Sequence, residues 1–148
     1  MSLVTKIEQD IKSAMIARDE VRLSVVRFLK SALKYAAIEK KVEAVSDAEA
    51  QQVIQRQIKQ RRESIDQFTK GGRADLADKE SKEALILESY LPQQMADADL
   101  EALVQSEIKA QGATSKKEFG KVMKVLTEKL AGQADSRRIS EFLGKYLQ

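Results

Sequence analysis

Residues 46–92 read SDAEAQQVIQRQIKQRRESIDQFTKGGRADLADKESKEALILESYLP. Ile54, Ile58, Ile65 and Phe68 recur at helical spacing and fall on one stripe of a wheel turning 100° per residue. Ser46 and Glu49 form a capping-box pair that opens this helix, and Gly71-Gly72 closes it, because glycine reaches the left-handed conformation that helix ends often require. A second helix follows from Ala74 to Leu91, bounded by Pro92, which disfavours helical geometry in the residue before it. Two long helices joined by a glycine turn make an antiparallel hairpin, and this hairpin sets the fold class as all-α.

Two charged features sit on the wrong side of these helices. Arg61 lies in the middle of the Ile54–Phe68 stripe, while Glu80 and Glu83 share a face with Leu76, Leu87 and Tyr90. Folding back at Gly71-Gly72 brings Arg61 beside Glu83 or Glu80 as a buried ion pair. A guanidinium there has two readings. The favoured one is structural, a pair that fixes helix register and is costly to break. The other has Arg61, with Arg62 nearby, holding a phosphate or acidic ligand. Arg22 also falls on the apolar side of its helix and carries the same two readings.

Upstream, apolar residues at Leu3, Ile7, Ile11, Ala14 and Met15 predict a helix over residues 3–18. Val25, Val26, Leu29, Leu33, Ala36 and Ala37 predict another over 20–40. Downstream come three shorter helices. The first has Asp97 as N-cap and ends at Gly112, and the second opens with a capping box at Ser115 and Glu118 and stops before Gly132. The third starts at Asp135 and buries Ile139, Phe142, Leu143, Tyr146 and Leu147. The expected organisation is an N-terminal domain of about four helices, residues 1–92, joined to a C-terminal three-helix domain, residues 93–148.

Composition narrows the chemistry. The 148 residues include no His, no Cys, no Trp and one Pro. Thiol nucleophiles, Ser–His triads and thiolate zinc sites therefore require residues from outside the chain. No cofactor or metal site is expected. No apolar run reaches the ~20 residues of a membrane span, and the start, MSLVTKIEQD, lacks the layout of a secretory signal, so the expected address is cytoplasmic, without membrane association.

Net charge is only +3, but it is unevenly spread. From Asp75 to Glu107, Lys79 and Lys82 face nine carboxylates, whereas from Ala113 onward eight basic residues face four acidic ones. Lys117, Lys121 and Lys124 lie on one side of their helix, opposite Phe119 and Met123, with Arg137 and Arg138 on the next helix. Such a row can neutralise phosphates of a nucleic acid, giving salt-dependent affinity with little sequence information. The plain alternative is a solvated helix face. Gly120, beside the row, weakens a helix and is best explained by another backbone coming close.

The order IKQRRES, GGRADL, ILESYLPQQM, EFGKVM and AGQAD resembles the YqeY family over nearly the whole chain. The resemblance implies an N-terminal helical domain followed by a C-terminal domain similar to the tail of GatB, the component of the glutamine-dependent tRNA amidotransferase whose tail contacts tRNA. Gly120, Lys121, Val122 and Met123 match the tail motif, and Lys124 matches its amidotransferase form. The chain departs from the motif at Gly132-Gln133-Ala134-Asp135-Ser136, where a second glycine is usual.

Three functions compete. The first is a non-catalytic accessory that binds tRNA or another structured RNA through Lys117, Gly120, Lys121, Lys124, Arg137 and Arg138. The second is an adaptor for amidotransferase subunits or translation machinery. The third, disfavoured, is a part in a carbon–nitrogen ligase using glutamine as amide donor, and no catalytic residue can be named for it.

Overall fold

The computed structural model describes residues 1–147, and all regular structure among them is helical. The backbone divides into two compact units, Met1–Leu91 and Pro92–Gln148.

The first unit holds α1 (Leu3–Ala17), α2 (Glu20–Lys40), α3 (Asp47–Lys70) and α4 (Ala74–Glu88). α1 pairs with α2 and α3 with α4, and the two hairpins meet chiefly through α2 and α4, with α1 and α2 also touching α3. Ile7, Val25, Val26, Leu29, Leu33, Ile54, Ile58 and Leu87 fill the shared core. Ile65, Phe68 and Leu76, near the far end of the α3–α4 hairpin, are only half-buried. At the start of α3, Ser46 Oγ accepts from the Glu49 amide (3.2 Å) and donates to the Glu49 carboxylate (3.0 Å). The hairpin turn uses Gly72 at φ 73°, where a side chain would be strained.

Two expectations need correction here. α4 stops at Glu88 and not Leu91, because its last turn tightens: Tyr90 N bonds Leu87 O and Leu91 N bonds Glu88 O. Met15 is 52% exposed, although α1 buries Ile7 and Ala14 as its stripe requires.

Tyr90, just past α4, fastens that end of the unit. Its ring is buried beneath the Lys6 ammonium (5.6 Å), and its hydroxyl donates to Asp10 Oδ2 at 2.5 Å. Burial, and then the Asp10 carboxylate, hold the phenol well above its ordinary value of 10.0. Arg22 reaches the same carboxylate at 3.6 Å. Hydrogen bonds to a charged group contribute about 1.5–3 kcal/mol, and Arg22 retains Asp10 when the hydroxyl is lost, so Tyr90→Phe is expected to destabilise the chain by about 1–2 kcal/mol. Urea denaturation checks this, and an unchanged midpoint would place the hydroxyl in water.

The second unit holds α5 (Asp97–Gln111), a 3₁₀ turn (Lys116–Glu118), α6 (Phe119–Leu130) and α7 (Ser136–Tyr146). Leu100, Val104, Val122, Leu126, Leu130, Ile139 and Leu143 form its core. Tyr146, expected in that core, instead lies at its edge, where its hydroxyl donates to the Glu101 carboxylate. Capping differs from expectation twice. The N-cap position of α5 falls on Ala96, which makes no side-chain cap bond; Asp97 is already the first helical residue, and its carboxylate is paired with Arg138 at 2.7 Å. Glu118 accepts from the Thr114 amide at 2.6 Å, while Ser115 makes no side-chain cap bond, so the first turn becomes 3₁₀. Asp135 does cap α7, accepting from Arg138 N. Where the resemblance leads one to look for a second glycine, Ala131 itself adopts φ 41° and Gly132 φ 91°. The turn therefore keeps its left-handed backbone at some strain in Ala131.

Among the described residues no helix is long and apolar enough to cross a membrane.

Candidate nucleic-acid interface

The 3₁₀ turn and α6 present a short basic face. Val122 and Leu126 point into the core, Phe119 and Met123 are half-buried, and Lys116, Lys117, Gly120, Lys121 and Lys124 are exposed. Lys117, Lys121 and Lys124 are spaced by four and three residues, which keeps them on one side of the helix. None of these lysines lies within ion-pair distance of a carboxylate among the described residues. A Cβ built on Gly120 would have nothing within 4 Å. The close backbone approach read into this glycine is therefore not made among the described residues.

The remaining basic residues beyond Ala113 are engaged elsewhere. Arg138 donates to Met95 O (2.6 Å) and Asp97 Oδ1 (2.7 Å), tying α7 to the segment entering α5. Arg137 pairs with Glu141 one turn along α7 (3.3 Å). Lys129 pairs with Glu107 (2.7 Å) and Lys145 with Glu101 (3.1 Å). Both arginines assigned to phosphates thus have carboxylate neighbours, Arg138 half-buried and Arg137 well exposed, whereas Lys117, Lys121 and Lys124 have none among the described residues. Lys116, absent from that assignment, shares their exposure and lack of a partner.

Glu107 escapes a reading of charge balance, although its signal is in the sequence: it falls seven residues after Leu100 and three after Val104, on the apolar stripe of α5. It is 5% exposed, and Gln111 Nε2 and then the Lys129 ammonium hold its carboxyl below the ordinary 4.5. A lowered carboxyl stabilises the fold above its unfolded value, and that stabilisation disappears as pH falls through the lowered folded value. Glu107→Gln is therefore expected to lower the melting temperature more at pH 7 than at pH 3, because the stabilisation carried by the charged form fades as pH falls below the ordinary 4.5. An equal loss at both pH values would mean that shape, not charge, matters at this position.

In the first unit the structure brings Arg61, Glu80 and Glu83 together. Arg61 Nη1 donates to Glu80 Oε2 (3.1 Å) and to Glu83 Oε2, with the three side chains 16%, 24% and 11% exposed. Arg62 turns instead to Glu88 (3.0 Å).

The model of the family described as Yqey-like protein matches residues 4–147. Among curated proteins, "Altered inheritance of mitochondria protein 41, mitochondrial" of Lachancea thermotolerans is 32% identical over 103 residues, 68% of this chain and 55% of that protein. Its namesake from Kluyveromyces lactis is 36% identical over 87 residues, 59% of this chain and 47% of that protein. The namesake from Saccharomyces cerevisiae strain YJM789 is 32% identical over 98 residues, 66% and 53% of the two chains. The chain spans about half the length of the curated relatives it matches. Because the family match runs through both helical units, the chain belongs to the family of Yqey-like proteins.

Proposed function

We propose that this chain is a non-catalytic RNA-binding accessory whose contact surface is the lysine face of the 3₁₀ turn and α6. One observation carries the reading: among the described residues Lys116, Lys117, Lys121 and Lys124 are exposed and unpaired, whereas Lys129, Arg137, Arg138 and Lys145 are spent on carboxylates. Ammonium groups without internal partners are free to exchange their counterions for phosphates. The positive end of the α6 dipole adds to their field, and Gly120 leaves room for a ribose-phosphate backbone to approach.

The resemblance to the amidotransferase tail makes tRNA the structured RNA to test first, with amidotransferase subunits as the protein partners it implies. The proposed role beside them is tethering, since a chain without cysteine or histidine offers no thiol or imidazole for releasing ammonia from glutamine. The proposed address is the cytoplasm; the relatives carry mitochondrial names, and both compartments contain tRNA.

Titration of the full chain with tRNA at several salt concentrations tests this reading. Log Kd is expected to rise linearly with log salt with a slope of about 2–4, as a few phosphate contacts require. Binding insensitive to salt, or none at 50 mM salt, would reject it.

A further inference from the structure

α2 has a second apolar face. Its inner side buries Val25, Val26, Leu29, Leu33 and Ala37, yet Val21, Phe28, Tyr35 and Ile38 are 43%, 60%, 65% and 65% exposed. Val21, Phe28 and Tyr35 repeat every seven residues, and Ser24, Ser31 and Ile38 fill the intermediate positions, all exposed. Val21, Phe28, Tyr35 and Ile38 thus form a second apolar stripe interrupted by serines, and a helix apolar on both sides ordinarily has a partner on both.

We propose that the occupant is α2 of a second copy, packed antiparallel across a two-fold axis. Shape supports a self-complementary pair. The first half of α2 presents a shallow, open patch around Ser24 and Ser31, bordered by Glu20, Leu23, Arg27 and Phe28, and the second half carries the projecting Tyr35 and Ile38. An antiparallel register sets Tyr35 of each copy against Ser24 of the other, Phe28 against Ser31, and Ile38 against Val21. Each aromatic ring thereby meets a serine, as interdigitating layers require. A two-fold axis repeats every one of these contacts.

Charge supports the same direction. Glu20 at the start of α2 comes beside Lys41 just past its end, and Arg18 comes beside Glu39; all four are exposed, and none forms an ion pair among the described residues of its own chain. A parallel pair would instead leave Glu20 and Lys41, and likewise Arg18 and Glu39, at opposite ends of the two helices. Arg27 and Lys34 bring like charges to the middle of the seam, which keeps the association weak. With one helix per subunit and two aromatic side chains on each, the interface lies near the ~1,000 Å² lower bound for specific association, so dimers are expected at concentrations on the order of 10 µM.

Sedimentation equilibrium of the full chain from 1 to 300 µM tests this. The mass should rise from monomer to dimer and go no further. Ile38→Glu and Ser24→Arg should each remain monomeric throughout, with helicity and melting unchanged because both side chains are exposed in the monomer. Glu20→Lys and Lys41→Glu should each weaken the dimer about three- to tenfold, and the double exchange should restore it. A monomer at 300 µM would overturn the proposal and leave this face to a different protein. Dimers that persist in Ile38→Glu would place the contact elsewhere, and failure of the double exchange to restore association would overturn the antiparallel arrangement.

Discussion

Changing Lys117, Lys121 and Lys124 together to Glu is expected to abolish retention of tRNA by the full chain in a low-salt shift assay. Each lysine that neutralises a phosphate adds about 0.9 to the dependence of log Kd on log salt, so removing three lowers the slope by about 2–3. Reversing the charges also adds repulsion, and a loss of affinity of about 100-fold or more is expected at 50 mM salt. Helicity and melting should not change, since all three side chains are exposed and none holds a carboxylate among the described residues. Lys121→Ala and Arg137→Ala, which each remove one positive charge, are the matched comparison. The Arg137 guanidinium is engaged with Glu141, so its loss should alter affinity less than loss of the Lys121 ammonium. Equal losses from the two variants would show that total charge, not this surface, governs binding.

Arg61→Met is expected to produce the largest loss of stability. Arg61 serves two carboxylates, Glu80 and Glu83, which are three residues apart on α4. Without the guanidinium, two like charges are left facing the α3–α4 contact. Breaking a buried pair from one side costs about 3–5 kcal/mol, and the residual exposure of Glu80 brings this to about 2–4 kcal/mol. Glu80→Gln should cost less than about 1 kcal/mol, because Arg61 keeps Glu83 and the cluster becomes neutral. Combining Arg61→Met with Glu83→Leu should recover a large part of the loss, since an apolar pair replaces a stranded charge. Urea denaturation of the four chains checks the series; a neutral Arg61→Met would mean that water already solvates the carboxylates.

All of the helices could be placed from apolar periodicity and punctuation, because Gly71-Gly72, Pro92, Gly112 and Gly132 interrupt it where the chain turns. The meeting of Arg61 with Glu80 and Glu83 could also be read in advance, since a tight turn fixes which residues of a hairpin face each other. Details that depend on distant partners could not. Arg138 is engaged by Met95 and Asp97, more than forty residues earlier, and counting charges does not reveal which cations are already used. The N-cap of α5, one residue before the aspartate that the sequence suggests, is likewise a detail of the backbone that side-chain type does not fix. The outer seam of α2 was hidden for another reason: two apolar stripes on one helix blur into general hydrophobicity, and only the burial of one of them separates the two.

The most direct test is to follow the backbone amide resonances of the full chain by NMR while tRNA is added. Perturbations concentrated on Lys116–Lys124, fading as salt is raised, are the expected result. Perturbations confined to other segments, such as the basic residues Arg56, Lys59 and Lys70 of α3, or a spectrum unmoved by excess tRNA, would contradict the assignment of this face.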